Sequence, residues 1–172
     1  MSNLNNQSCG CGSRNFDAVW QRVLPGLDAP IPSVSGRNPQ NFSDEEFLIS
    51  AMEKCCADSR ISEAIACRCR GNMIGRTCET LACRERAQFQ TLHTTYFILT
   101  GNNYTIPRTC PSIGRVLDAL RIQCIEKTEN SRMFQEAAEL TSDEKIACIC
   151  RQLAEEESEN ACTLERLICR ML

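Results

Sequence analysis

Ile65-Ala66-Cys67-Arg68-Cys69-Arg70 returns 81 positions later as Ile146-Ala147-Cys148-Ile149-Cys150-Arg151, and each copy is followed by two more cysteines and an arginine. Self-similarity at a fixed spacing constrains the fold before any other feature does. The spacing predicts a cysteine-framed module used twice. Superposing the copies pairs Cys67, Cys69, Cys78 and Cys83 with Cys148, Cys150, Cys162 and Cys169, and sets Cys55 opposite Cys124. Cys9, Cys11, Cys56 and Cys110 fall outside the match. The longer interval from Cys124 to Cys148 predicts one inserted helix in the second copy.

The expected fold is all-α, built as two related disulfide-rich helical modules. Working outward from the motif, Ser43 followed by Glu46 forms a capping box that opens a helix through Phe47, Leu48, Ala51, Met52 and Cys55. A second short helix is expected through Ile61, Ala64 and Ile65, and a long one from about Thr77 to Gly101. These make the first module, residues 43–101. The second, residues 108–172, carries a helix through Ile113, Val116, Leu117, Leu120 and Cys124, and a short helix after Ser131. It ends in two more helices, one opened by Thr141-x-x-Glu144 and the last through Cys162, Leu164, Leu167 and Ile168. Residues 1–42 are expected as an N-terminal arm around Cys9 and Cys11, a docking helix through Phe16, Val19, Trp20, Val23 and Leu24, and a linker rich in proline. No segment alternates with the period of a strand.

Fourteen cysteines against one Trp, two Tyr and six Phe in 172 residues suggest cross-links in place of aromatic packing. Disulfides persist outside the reducing cytosol, so the expectation is a secreted or cell-surface protein with up to seven bridges. All fourteen cysteines are candidates, with pairings unassigned. Two residues apart on a helix point about 200° apart, so each C-x-C should clamp two different neighbours. The polar start lacks a signal peptide and reads as a mature form, with membrane attachment only through an anchor absent from the chain. Asn6, Asn41 and Asn103 stand in N-x-S/T sites and are glycosylation candidates. A net charge of −3 gives no electrostatic reason for a nucleic-acid partner.

Chemistry is sparse at the level of motifs. Cys67, Cys69, Cys78 and Cys83 have spacings that zinc sites tolerate, but no C-x2-C knuckle is present, and no metal or cofactor is assigned. C-x-x-C redox spacing is absent. His93, the sole histidine, lies in a predicted helix and is expected to be solvated or locally hydrogen-bonded there. Asp44-Glu45-Glu46 and Glu155-Glu156-Glu157 read as a helix start and a charge run. No enzymatic activity is expected. Arg68, Arg70, Arg76, Arg84 and Arg86 surround the first cysteine cluster and are candidates for pairing with carboxylates of a protein partner.

Ser50-Ala51-Met52-Glu53, Cys67-Arg68-Cys69-Arg70 with Cys78 eight residues on, and Cys148-Ile149-Cys150-Arg151 with Ala161-Cys162-Thr163 and Glu165-Arg166 resemble the repeats of glial-cell-line-derived neurotrophic factor receptor alpha proteins and growth-arrest-specific domains. That resemblance implies an extracellular receptor-like or ligand-binding protein that engages a protein ligand or co-receptor. Cys55-Cys56 with C-x-C is a poorer match to the eight-cysteine lipid-transfer family, whose later intervals are longer. Two alternatives stand beside the receptor-like reading: a secreted carrier of a small molecule or lipid, and a zinc protein.

Overall fold

The computed structural model describes residues 42–106 and 111–172. The expected arm, docking helix and linker, with Cys9, Cys11, Cys110, Asn6 and Asn41, lie outside those residues. Within them the chain forms four α-helices: α1 Asp44–Arg68, α2 Met73–Thr100, α3 Val116–Leu140 and α4 Glu144–Cys169. The all-helical expectation holds.

Local sequence sets the helix ends. Ser43 caps α1, its hydroxyl accepting from the Glu46 amide at 3.3 Å, and three acids in the first turn face the positive end of the helix dipole. Asn72 accepts from the Gly75 amide to open α2. Gly75 must be glycine, because a Cβ there would stand 2.3 Å from the carbonyl oxygen of Cys69, the C-cap of α1. Gly101 closes α2 in the left-handed conformation, at φ 71°. The N-cap of α4 is Asp143, which accepts from Lys145 and Ile146, rather than Thr141.

Both short extra helices of the expectation are absorbed into longer ones. Helix α1 runs unbroken through Ile61, α3 runs from Val116 through Ser131 to Leu140, and the two helices expected at the C-terminal end are one continuous helix, α4. The interval from Cys124 to Cys148 is therefore the second half of α3 plus a turn, with no inserted helix. The sequence pattern divides there because the buried stripe changes character while the backbone does not. In α1 it passes from Phe47, Leu48, Ala51 and Met52, through Asp58, Ser59 and Ser62, to Ile65 and Ala66. Each of the other helices likewise carries polar residues at the middle of its buried face.

Two apolar clusters enclose the resulting polar layer. One joins Phe47, Leu48 and Met52 to Leu92, Tyr96, Phe134, Ala137, Ile146 and Leu153. The other joins Ile65 and Ala66 to Leu81, Leu120, Leu164, Leu167 and Ile168. The start of α1 thus packs with the end of α3, and the end of α1 with the start of α3, so these helices are antiparallel. Each cluster draws on both hairpins, α1–α2 and α3–α4, which share one core.

Antiparallel α1 and α3 require a connection that returns along the bundle. The described residues beside α2 and α3 mark its two ends: Tyr104 donates to Glu53 at 2.6 Å near one, and Arg68 donates to the Ile113 carbonyl at 3.2 Å and to that of Gly114 at the other. Fifteen residues of α1 separate Glu53 from Arg68, or about 22 Å at the helical rise. One long crossover between two hairpins is the connectivity of ferritin-like bundles.

The repeated I-A-C-x-C-R does not mark equivalent places. Its first copy ends α1, and its second opens α4. The structural repeat has a different offset. Ser59 donates to the Ala82 carbonyl at 3.2 Å and Ser131 to that of Ala154 at 2.8 Å, each pair spanning 23 positions. Asn130 and Asp58, 72 positions apart, hydrogen-bond one another between the hairpins. At that offset Leu48 meets Leu120, Cys78 meets Cys150, Glu85 meets Glu157, and Cys55 meets Lys127.

Candidate functional site

The polar layer places one titratable side chain from each helix at the centre of the bundle. Asp58, Glu85, Lys127 and Glu157 are 6 %, 0 %, 1 % and 1 % exposed. Lys127 Nζ lies 2.6 Å from Asp58 Oδ2 and 3.2 Å from Glu157 Oε2, and also pairs with Glu85 Oε1. Removing four such groups from water is costly, and mutual attraction offsets that cost only where the remaining lone pairs are also satisfied.

Amides provide much of that satisfaction. Asn130 donates to Asp58 at 3.2 Å and to Glu157 at 3.1 Å; Asn160 donates to Glu157 Oε1 at 3.2 Å; Gln123 donates to Asp58 at 3.4 Å. The network continues outward, with Arg84 donating to Asn160 and Gln88 to Glu156. Three oxygens buried in the layer have no hydrogen-bond partner: Glu85 Oε2, Gln123 Oε1 and Asn130 Oδ1.

Charge follows from this geometry. Burial alone would drive the Lys127 ammonium toward its neutral form, but Glu157, Glu85 and Asp58 together hold it above its ordinary range. Glu85 is pushed up to about 8, chiefly by burial and further by Glu157 and Asp58, with Lys127 opposing. At neutral pH Glu85 is therefore mostly protonated. Cys55, the positional counterpart of Lys127, lies against the same groups; burial, then the nearby acids, raise its thiol well above the ordinary value. Its Sγ is 3.9 Å from Gln88 Oε1.

The residues singled out from sequence are distributed differently. All eleven described cysteines are free thiols. Cys55, Cys78, Cys124 and Cys150 are buried, while Cys67, Cys83, Cys148 and Cys169 are exposed. Burial raises Cys78 to about 12, and Cys124 and Cys150 to about 11, which suits inert core thiols. Among the described residues, the side chains gathered closely enough to hold a metal, with ligand atoms within 4.8 Å of one another, are Asp58, Glu85 and Glu157 rather than Cys67, Cys69, Cys78 and Cys83.

Most of the arginine cluster is engaged inside the molecule. Arg68 holds the crossover, Arg70 donates to Cys67 Sγ at 3.6 Å, Arg84 reaches Asn160, and Arg86 pairs with Glu63 and Cys83. Arg76 is exposed. His93 is half-buried and stacks on Phe89, with ring centroids 5.7 Å apart. Asn103 is exposed beyond the end of α2.

Glu157 belongs to a triplet expected as a solvated charge run, yet it is buried while Glu155 is exposed. The missed signal was in the sequence. Glu85-x-x-Gln88 and Glu157-x-x-Asn160 are the same pattern at the 72-residue offset, each on the buried stripe of its helix.

Fold and site together define the class: the described residues form a four-helix bundle with one long crossover and a closed charge centre in its core. No family model matches the chain, and no curated protein matches it. Among solved structures it is similar to "Hypothetical Protein Pfu-1136390-001" from Pyrococcus furiosus, with a TM-score of 0.65 and 18 % identity. The match covers 79 % of this chain and 98 % of that one, and it shows the fold alone.

Proposed function

We propose that the protein is a non-enzymatic binding module that offers a helical surface to a protein partner, with the charge centre as its structural core. The observation that carries this reading is the closure of the centre. Lys127 ion-pairs with all three acids, so each is engaged by an internal cation instead of standing ready for a substrate. The surface also has a feature suited to binding. Phe97, Ile98 and Leu99 are consecutive exposed apolar residues at the end of α2, and Ile98 is 78 % exposed. Clustered exposed apolar side chains of this kind mark protein contacts more often than isolated ones do.

The test compares partners recovered by cross-linking in the native cell. An Ile98→Asp, Leu99→Asp double variant should keep the wild-type melting temperature and lose a protein that the wild type retains. Identical recovery from both would contradict the reading. An extracellular setting is part of the same proposal and rests on the cysteine count alone, because the eleven described cysteines form no disulfide with one another. Intact mass before and after reduction checks it: a gain of about two hydrogens per bridge supports oxidised, extracellular protein, and an unchanged mass contradicts it.

A further inference from the structure

We propose that the polar layer is a carboxylate metal site in which the Lys127 ammonium takes the place of the cation, so that removing this ammonium opens the layer to a divalent metal ion. The inference rests on the reading of Lys127 as the resident structural cation of a closed centre.

Three observations lead to it. The first is the pattern of side chains on the bundle. Carboxylate-bridged dimetal bundles take a Glu from each of two helices and a Glu-x-x-His from each of the other two, all projecting inward. Here α2 and α4 supply Glu85-x-x-Gln88 and Glu157-x-x-Asn160. At the 72-residue offset, the paired inward positions on α1 and α3 hold Cys55 and Lys127, with Asp58 one turn beyond Cys55. The glutamates of the pattern persist on two helices, while amides stand for its histidines.

The second is geometry. Asp58, Glu85 and Glu157 offer oxygens within 4.8 Å of one another, and Lys127 Nζ sits among them. The third is an unmet acceptor. Glu85 is fully buried, its Oε1 faces Lys127, and its Oε2 has no hydrogen-bond partner. A metal ion entering the layer would displace the Glu85 proton and take up this oxygen, which no neighbour engages. Ligands of this kind suit hard divalent cations such as Mn²⁺.

The ammonium also explains why the wild-type layer should refuse such an ion. It supplies one positive charge at the point the carboxylates converge on, and a second cation there would meet it without solvent screening. Substituting Lys127 by a neutral side chain removes the repulsion and leaves three acids for the metal. Substituting it by Glu adds a fourth carboxylate at the position the dimetal pattern calls for.

The test uses full-length wild type and the variants Lys127→Met and Lys127→Glu, each stripped of metal and titrated with MnCl₂ alone. Binding is read by electron paramagnetic resonance and calorimetry, and folding by circular dichroism. At least one Lys127 variant should bind Mn²⁺ on the order of a hundredfold tighter than wild type, with a melting temperature that rises on adding the ion. Adding Glu85→Gln to that variant should abolish the gain. Should a variant be unfolded without metal, millimolar Mn²⁺ should restore its helical signal, because a ligand that binds only the folded state shifts the equilibrium. Folded variants that bind no better than wild type overturn the proposal, as do unfolded ones that Mn²⁺ does not rescue. Wild type that itself holds Mn²⁺ tightly overturns both this proposal and the closed-centre reading beneath it. Metal-free wild type with unresponsive variants overturns the proposal alone.

Discussion

The two hairpins match position for position in their frame and differ at their centre. Ser59–Ala82 and Ser131–Ala154 are the same inter-helix bond, and Glu85 and Glu157 are counterparts. Yet α1 places Cys55 and Asp58 where α3 places Lys127 and Asn130. The first hairpin brings two acids and no buried base; the second brings the only ammonium in the centre, together with the amide that binds Asp58. The second hairpin balances Lys127 with its own Glu157, whereas the first has no cation for Asp58 and Glu85 and relies on that same ammonium. The halves are therefore complementary rather than interchangeable, which accounts for their sharing a single core.

The largest effect that would break this comparison lies at its most asymmetric pair. Lys127→Met leaves three buried acids without their cation and should cost about 3–5 kcal/mol in chemical denaturation without added metal. Cys55→Ala, at the counterpart position, should cost only about 1–3 kcal/mol. Moving the charge sharpens the comparison further. Cys55→Lys combined with Lys127→Cys should recover part of the stability lost in Lys127→Cys alone, because the ammonium would again lie within the layer, now carried by α1.

A pH profile tests the centre without changing its size. Glu85 holds its proton up to about pH 8 in the folded protein but only to the ordinary carboxyl value of 4.5 once unfolded. Between those values the folded state binds more protons, so this group's contribution to stability is full below pH 4.5 and declines as pH rises toward 8. Glu85→Gln, which mimics the protonated form, should flatten that decline and be relatively more stable than wild type at pH 8.5. A variant that follows the wild-type slope would contradict the assignment. The smallest effects belong to the frame and the surface: Ser59→Ala and Ser131→Ala should each cost about 1 kcal/mol, and Arg86→Ala, whose pair with Glu63 is exposed, about 0–1 kcal/mol.

Much of the fold was legible from local chemistry. Ser43 capped the predicted helix, Gly101 ended the long one, and the apolar stripes of α2 and α4 pointed inward as their periodicity required. The centre was harder to read because it interrupts that same periodicity. Asp58, Ser59 and Ser62 occupy buried positions on α1, and Lys127, Asn130 and Ser131 do so on α3, so a rule that seeks apolar repeats divides both helices there. The cysteine motif drew attention to an offset of 81, whereas packing follows 72. Cysteine spacing is set by individual thiols, some of them exposed, while the inter-helix serine bonds and paired glutamates record which faces meet. Glu157 looked solvated because its neighbours in the triplet are hydrophilic, and only its place on the helical stripe distinguishes it from Glu155.

Diffraction from wild-type crystals grown with MnCl₂, recorded near the manganese absorption edge, tests most directly whether Lys127 is the resident cation of the layer. Lys127 Nζ should stand among Asp58, Glu85 and Glu157, with no anomalous peak in the layer. A manganese peak bound by those carboxylates, with the lysine displaced, would contradict it.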